Sequence, residues 1–380
     1  MKNGLVLCCY FILIFLTGRI SNKRPEYNWD MLAYMAVVLG YDNSDSNFVH
    51  NSVYKIAKDQ LPAETYNQLI DGGLEYRKNM AQNSSEFYQQ MPFYAVKPLY
   101  TRLIYFMYKA GVPLIAATVV PSFIGYFLIA FLLIIWIKKY LQLTLAFAVS
   151  MLIMLSAPMW DIARLSTPDS LSAFLLFGAL YFMIERRSLF LTFSFLLLSI
   201  FARIDNVIPS ILIVSLIAFS NKWEHKISKQ KYLVMLMFIL LSYLSITLGT
   251  RKYGWDILYY PTFSKSLNLN YTYHAKFHFQ NYLALSMSHI MTGLFYTYLL
   301  LFMALALMVF ISRSPFNFRN LSFDQLLVGV IISTIIIRFI LQPVIADRLY
   351  IAYYLCILIL LIRKLCGTLG PSEGLISPVK

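Results

Sequence analysis

The chain has 380 residues, of which 59% are hydrophobic and only 13% are charged. Average soluble proteins are about 25% charged, so this composition excludes an ordinary water-soluble domain. The net charge of +14 would indicate nucleic-acid binding in a soluble protein. In a membrane protein, basic cytoplasmic loops account for such an excess through their attraction to anionic lipid. We therefore expect membrane lipids as partners, and no nucleic acid.

The N-terminal apolar stretch, 4–17, could be the core of a secretory signal peptide. A small-x-small cleavage site is missing, however, and the basic residues Arg19, Lys23 and Arg24 follow directly. The pattern favours an uncleaved first helix, although it is short against the roughly 20 residues that cross a bilayer.

A long polar segment, 21–97, follows the first helix. Apolar residues recur within it at helical spacing, which indicates amphipathic helices. These residues are Trp29, Leu32, Ala33, Ala36, Val37, Gly40, Val53, Ile56, Ala57 and Leu61. The run Leu61-Pro62-Ala63-Glu64 is typical of one helix ending and another beginning. We expect a folded first external loop that contains helices on the membrane surface.

From Pro98 onward the chain is largely apolar, beginning with an amphipathic helix over 100–110. Hydrophobic stretches predict the later spans at 112–137, 141–157, 171–184, 189–202, 207–220, 232–249, 282–311, 326–345 and 349–362. Together with the first helix they predict an all-α polytopic membrane protein of about ten crossings. It would be a single transmembrane domain over 1–380, with both termini cytoplasmic, a second external loop over 251–281 and a flexible cytoplasmic tail over 366–380.

The loops on the two sides of this topology carry different charges. Those on one side hold Lys138, Lys139, Arg186, Arg187, Lys222, Lys226, Lys229, Lys231, Arg313, Arg319, Arg363 and Lys364. Those on the other side hold Asp30, Asp161, Arg164, Asp169, Arg203, Asp205, Asp256, Asp347 and Arg348. Short basic loops mark the cytoplasmic side, so the candidates for chemistry face away from the cytoplasm.

Asp30 stands just past the first span, between aromatic and apolar residues. A carboxylate beside the membrane can act as general base on an acceptor hydroxyl. The alternative is a helix N-cap for the stretch that begins at Met31, because Asp is favoured at that position.

Three turns on the acidic side repeat the combination of Asp and Arg. They contain Asp161 with Arg164 followed by Asp169, Arg203 with Asp205, and Asp347 with Arg348. The planar fork of arginine binds phosphate through paired charge-assisted hydrogen bonds, so the repetition suggests one converging polar pocket. The alternative is that each pair is a structural salt bridge.

Arg338 lies inside a predicted span, where an ionised group costs about 3 kcal/mol and usually faces a cavity or a partner. Either it snorkels to the outer surface, or it contacts a lipid-linked phosphate or a buried acid.

Metal sites have little support in the sequence. The histidines His50, His274, His278 and His289 form no recognisable ligand set, and the four cysteines form no CxxC or Cys/His cluster. Asp42 and Asp45 resemble a calcium loop only loosely. No cofactor is assigned; a single divalent cation stays possible.

The layout and several short motifs together resemble the GT-C integral-membrane glycosyltransferases, which include protein mannosyltransferases and the bacterial aminoarabinose transferases. A first helix is followed by a long external loop with an acidic residue, Asp30, near its start. The loop closes with Met91-Pro92-Phe93-Tyr94-Ala95-Val96-Lys97-Pro98-Leu99-Tyr100, which is similar to a Lys-Pro-Pro-Leu donor-site segment with its second proline absent. The turns around Pro168-Asp169, Arg203-Ile204-Asp205 and Ala346-Asp347-Arg348 resemble other external turns of the family.

The resemblance implies an inverting transferase that uses a polyprenyl-phosphate-linked sugar. Asp30 would be the catalytic base, while Lys97, Arg203, Arg338 and Arg348 would bind the donor phosphate. Asp161, Arg164, Asp169, Asp205 and Asp347 are left for acceptor binding or structural pairing. The acceptor would be an envelope glycan or lipid, and the site would face the periplasm from a bacterial inner membrane. The alternatives are a glycan polymerase or ligase, or a non-enzymatic transporter of lipid-linked glycans.

Overall fold

The computed structural model describes residues 2–22, 27–220, 227–250, 277–311 and 321–368. The tail 369–380 and most of the second external loop lie outside the described residues, as do Lys23, Arg24, Lys222, Lys226, Asp256, His274, Arg313 and Arg319.

Every regular element in the described residues is a helix. The N-terminal part contains α1 (Lys2–Asn22), α2 (Asp30–Leu39), α3 (Ser46–Gln60), α4 (Ala63–Ile70), α5 (Glu75–Gln82), α6 (Ser84–Gln89), α7 (Met91–Ala95) and α8 (Pro98–Lys109). The middle contains α9 (Leu114–Ile137), α10 (Leu143–Met154), α11 (Ala157–Arg164), α12 (Asp169–Tyr181), a π-turn (Phe182–Arg186), α13 (Leu189–Ala202), a 3-10 turn (Ile204–Asn206) and α14 (Val207–Phe219). The C-terminal part contains α15 (Lys229–Gly249), α16 (Phe279–Tyr296), α17 (Leu299–Phe310), α18 (Phe323–Leu341), a 3-10 turn (Asp347–Leu349) and α19 (Ile351–Thr368).

Four described helices are long and apolar enough to cross a membrane, in α1, α9, α15 and α18. Two bent pairs, α10 with α11 and α16 with α17, raise the number to six if each pair is one span. The all-helical character is therefore confirmed, and four to six candidate spans among the described residues are consistent with a multi-pass membrane protein. The predicted count of about ten crossings is not confirmed. Helices α12, α13 and α14 have 13, 14 and 13 residues, and a bilayer needs roughly 20.

Two predicted spans are broken rather than straight. The stretch 141–157 ends early, because α10 stops at Met154 and α11 leaves at 65°. Pro158 lies in the first turn of α11, where its missing N–H costs nothing. The stretch 282–311 divides into α16 and α17 at 77°. The Asp347 carboxylate accepts the backbone N–H of Tyr298 at 3.0 Å at this second break.

The segment between α1 and α9 has an apolar core of its own, formed around α2. Residues Met31 to Leu39 are all buried, since α2 is apolar on every face and such a helix belongs in a core. The expectation that the helices of this segment lie on the membrane surface is therefore wrong for α2. The predicted break at Leu61-Pro62-Ala63-Glu64 is confirmed, because α3 ends at Gln60 and α4 begins at Ala63.

The larger core joins α9, α12, α13, α14, α18 and α19. At Gly125 of α9 an added β-carbon would lie 2.6 Å from Ser170 Oγ and 2.7 Å from the Leu171 nitrogen. Only glycine lets α12 approach α9 so closely, and this contact fixes the start of α12. The other end of α12 leads to Glu185, which accepts hydrogen bonds from the Trp136 indole at 2.8 Å and from Lys139 at 2.7 Å. Acid–arginine turns and basic loops thus occupy opposite ends of the same helices.

Candidate active site

Five charged side chains form an alternating chain of ion pairs at one end of the helix bundle. Arg348 Nε lies 3.4 Å from Asp169, and Asp169 also pairs with Arg203. Arg203 then donates to both carboxylate oxygens of Asp205, at 3.1 and 3.0 Å. Arg338 completes the chain with a contact of 2.5 Å to Asp205. Residues from four separate segments of the sequence therefore meet at one place.

The chain of ion pairs carries one surplus positive charge, because three guanidinium groups face two carboxylates. The side chains of Asp169 and Arg203 are only 2% and 15% exposed, whereas that of Arg348 is 35% exposed. Burial alone would raise the pKa of Asp205, but Arg203 and Arg338 overcome that effect and hold it below its ordinary value. Both aspartates therefore stay ionised, and Arg348 is the most accessible of the three cations.

Asp169 is held in place by the first turns of α9 and by its own helix. Thr118 and Ser166 hydroxyls lie 3.0 Å apart, and Ser122 donates to the Thr167 carbonyl at 2.8 Å. These bonds fix the turn that precedes α12. Asp169 then begins the helix, where a carboxylate is favoured by the positive end of the helix dipole.

Arg203 and Asp205 lie on the short turn between α13 and α14. Arg203 has an extended backbone that ends α13. The Asn206 amide fixes the turn by donating to Ser172 Oγ and to the Ser199 carbonyl, each at 2.8 Å. Since Ser172 belongs to α12, this amide holds the Arg203 turn against the helix that carries Asp169.

Asp30 is the first residue of α2 but does not act as its cap, since no side-chain hydrogen bond caps this helix. Its Oδ1 accepts the hydroxyl of Tyr94 at 3.0 Å, and its Oδ2 lies 3.5 Å from the Asn28 amide nitrogen. The capping alternative is therefore not what the structure contains. Among the described residues the carboxylate is oriented by neutral donors and forms no direct ion pair.

Lys97 lies in an aromatic surround at the end of the same segment. Its ammonium donates to the Phe93 carbonyl at 3.1 Å and lies 4.4, 4.9 and 5.4 Å from the ring centres of Phe93, Tyr94 and Tyr34. Burial, and after it the nearby Arg203, lower its pKa to about 8 in spite of the opposing effects of Asp30 and Asp169. The side chain is still half-exposed. The ammonium is therefore desolvated without being fully enclosed.

Asp30 and Lys97 belong to the same electrostatic group as the ion pairs. Asp169 and then Asp30 raise the pKa of Arg348 against the effect of burial. Arg203 and Asp30 both act on Lys97. We call these seven residues the polar cluster: Asp30, Lys97, Asp169, Arg203, Asp205, Arg338 and Arg348.

Three of the residues singled out in the sequence lie outside the polar cluster. Asp161 and Arg164 pair with each other at 2.8 Å on α11. Asp347 does not pair with its neighbour Arg348; it accepts the Tyr354 hydroxyl at 3.1 Å and the Tyr298 amide. The last turn therefore differs from the other two, because its arginine reaches across to Asp169.

Sequence reasoning missed Tyr94, which touches Asp30 through its hydroxyl and Lys97 through its ring. No helical spacing signalled this contact, because α7 ends at Ala95 and Lys97 lies in the break before α8. Arg338 was placed in a span and left open between snorkelling and contact. It is buried, pairs with Asp205 and donates to the Leu349 carbonyl at 2.9 Å, so it contacts a buried acid.

Within the described ranges, no three His, Cys, Asp or Glu side chains are grouped so that they could hold a metal ion. Comparisons of this chain with protein-family models, with curated proteins and with solved structures find no significant match.

Proposed function

We propose that this chain is an inverting membrane glycosyltransferase of the GT-C type, which moves a sugar from a polyprenyl-phosphate-linked donor to an envelope glycan or lipid. The observation that carries the proposal is the polar cluster. Asp30, a carboxylate that forms no direct ion pair with the described residues, is electrostatically coupled to Lys97 and Arg348. A base beside fixed cations is the arrangement that this transfer requires.

In the proposed reaction Asp30 takes the proton of an acceptor hydroxyl while the hydroxyl oxygen attacks the anomeric carbon of the donor. The bond from that carbon to the phosphate oxygen breaks, and the polyprenyl phosphate departs with the electron pair. Attack and departure on opposite faces invert the sugar. The Tyr94 and Asn28 contacts support this role, because they orient the carboxylate and leave it without a permanent cationic partner.

The departing phosphate is assigned chiefly to Lys97 and Arg348. Both are partly accessible, whereas Arg338 is already occupied by Asp205 and the Leu349 carbonyl. Arg203 and Arg338 would then act mainly by holding Asp169 and Asp205 in place. The surplus positive charge of the cluster stabilises the phosphate as it leaves.

The proposal includes the finer topology of about ten crossings, in which the short helices α12, α13 and α14 also span the membrane. It also places the polar cluster on the periplasmic face of a bacterial inner membrane. What supports this orientation is the concentration of Lys and Arg at the opposite helix ends, which include Lys139, Arg186 and Lys229.

A transporter of lipid-linked glycans is less well supported, since it needs a polar path between the two faces. Helix α12 begins at Asp169 and leads through the π-turn to Glu185, and between these ends it buries Leu175, Phe177 and Leu180. A polymerase or ligase is disfavoured by the position of the long loop, which follows the first helix.

Mass spectrometry of the lipids that co-purify with the chain tests the substrate class. We expect a polyprenyl-phosphate species with the native chain and with Asp30→Asn. The double change Lys97→Gln with Arg348→Gln should remove it, while the matched exposed pair Lys58→Gln with Arg186→Gln should not. Absence of such a lipid from the native chain, or equal retention by both double variants, would contradict the proposal.

A further inference from the structure

A cavity of about 410 Å³ lies between the end of α1, the residues before α2 and the first turns of α9. Its rim is polar and is formed by Arg19, Tyr27 and Gln60. Its wall is apolar and includes Val120 and Phe123. The volume falls within the roughly 300–1,000 Å³ of small-molecule pockets, and the mixture of polar rim and apolar wall suits an amphipathic ligand.

This cavity is separate from the polar cluster. Thr118, Ser122 and Gly125 of α9 face α12, as their contacts with Ser166, Thr167 and Ser170 show. At 3.6 residues per turn, Ala116 and Phe123 lie roughly 150° around the helix from Thr118. Ala116 and Phe123 therefore lie on a different face of α9 from Thr118, and no residue of the polar cluster lines the cavity.

The cavity lies at the level where two candidate spans begin and end. Arg19 is in the last turn of the span Asn3–Ser21, and the wall belongs to the first turns of Leu114–Ile137. The helices run side by side in opposite directions, since Tyr10 donates to the Ala130 carbonyl whereas Thr17 lies against Tyr126, earlier on α9. Arg19 and the apolar wall are therefore at the same end of the two spans.

The surroundings of the cavity face hydrocarbon rather than water. Phe15 on α1 and Ile124 on α9 are 49% and 40% exposed, and both belong to candidate spans. The Phe123 ring packs over α1 where a β-carbon on Gly18 would collide with it. The cavity is thus closed by an aromatic ring against α1 and opens beside apolar side chains that require lipid contact.

Arg19 on the rim supplies a positive charge, which favours an anionic ligand. Arg19 is exposed, and no acid among the described residues forms an ion pair with it. A guanidinium at headgroup depth binds phosphate oxygens through its planar fork. We propose that this cavity binds one anionic phospholipid, with its phosphate at Arg19 and an acyl chain along Ala116, Val120 and Phe123.

The competing explanation is that Arg19 only anchors α1 at the interface through snorkelling. An anchor would not distinguish one lipid from another and would leave the cavity wall without a function. The selectivity for one phospholipid over another and the occupancy of the cavity therefore separate the two explanations. Neither quantity depends on sugar transfer.

Native mass spectrometry of the full chain in detergent, with added phosphatidylglycerol or phosphatidylcholine, measures both quantities. We expect one retained phosphatidylglycerol per chain and weaker retention of phosphatidylcholine. Arg19→Gln should weaken phosphatidylglycerol binding about fivefold, the factor equivalent to about 1 kcal/mol for one basic residue at an anionic headgroup. Ala116→Trp should fill the cavity and abolish retention. The matched controls are Lys55→Gln, an exposed charge, and Ile124→Trp, on α9 outside the cavity wall.

A thermal unfolding series with the same lipids keeps the test independent of expression level. Phosphatidylglycerol should raise the unfolding temperature of the native chain and of both controls. It should raise that of Arg19→Gln by less and leave that of Ala116→Trp unchanged. Equal effects of the lipid on Arg19→Gln, Ala116→Trp and the controls would overturn the proposal. Retention of inorganic phosphate but of no phospholipid would also overturn it, since the cavity would then bind a soluble anion. So would retention of polyprenyl phosphate but not of phosphatidylglycerol, since the cavity would then bind the donor.

Discussion

The hydroxyl of Tyr94 donates a hydrogen bond to Asp30 Oδ1 at 3.0 Å, across 64 positions of sequence. The ring of the same tyrosine lies 4.9 Å from the ammonium of Lys97. One buried side chain therefore touches both the proposed base and a proposed phosphate-binding cation. The relative positions of these two charges depend on it.

Removing only the hydroxyl tests the first of these contacts. We expect Tyr94→Phe to slow sugar transfer about tenfold, equivalent to about 1.4 kcal/mol, because Asp30 loses a donor that orients it. The ring stays against Lys97, so donor binding should not change. Stability should fall by only about 1 kcal/mol, the typical net value of one hydrogen bond. Transfer kinetics and donor binding measure the difference, with half-buried Tyr88→Phe as the control. Unchanged transfer in Tyr94→Phe would rule out the orienting role.

Arg203 is predicted to be essential for stability. It bridges Asp169 and Asp205 and is 15% exposed, so Arg203→Met leaves two largely buried carboxylates short of a partner. Breaking such a pair costs about 3–5 kcal/mol. Lys78→Met, which breaks an exposed pair with Asp71, should cost about 0–1 kcal/mol. Thermal unfolding in one detergent compares the two variants, and equal losses would contradict the buried role of Arg203.

Lys97 should make donor binding depend on pH. Burial lowers its pKa to about 8, so the ammonium loses its charge as pH rises through 8. Affinity for the phosphate donor should fall above that pH. Lys97→Arg stays charged throughout and should flatten the profile. A donor-binding titration between pH 7 and 10 checks this, with Lys58→Arg as the control.

The same lysine should affect stability with the opposite sign. Its pKa in the folded state is below the unfolded value of about 10.4, so between these values the unfolded chain binds more protons. Stability attributable to Lys97 therefore rises with pH from about 8 to about 10 and is lowest below 8. A stability curve for the native chain that matches that of Lys97→Met throughout this range would contradict the assigned pKa.

Orientation can be tested by labelling single cysteines in intact cells. We expect an impermeant maleimide to label Asp59→Cys, at the end that carries the polar cluster. It should not label Lys138→Cys, which follows α9 at the basic end, until the membrane is opened. The reverse pattern would invert the proposed topology.

The sequence predicted the helices better than it predicted the crossings. Hydrophobic stretches placed 189–202 and 207–220 almost as α13 and α14 have them. Hydropathy could not show where a span bends, because the backbone groups freed at a bend need a hydrogen-bond partner that can lie far away in the sequence. The N–H of Tyr298 is accepted by Asp347, a residue 49 positions away. Composition also could not show whether α2 lies on the membrane surface or is buried by the other helices of its segment, as it is in the structure.

The candidate site was predictable in its members but not in its pairing. The charge difference between the two sets of loops predicted that Asp30, Arg203 and Arg348 lie at the same end of the bundle. Local pairing held for Arg203 with Asp205, which are two residues apart on one turn. It failed for Asp347 and Arg348, since the closeness of α9 and α12 at Gly125 sets where Asp169 lies, and Asp169 pairs with Arg348. The local sequence of a turn does not show such a contact between two helices.

The most direct test is single-turnover transfer of labelled sugar from a polyprenyl-phosphate donor in proteoliposomes, with Asp30→Asn beside Asp59→Asn. Asp59 is an exposed acid of α3 and serves as the matched control. We expect Asp30→Asn to lose at least about 100-fold in rate, the usual contribution of a general base, while it still binds the donor. Asp59→Asn should transfer normally. Equal rates in the two variants would contradict the assignment of Asp30 as the base.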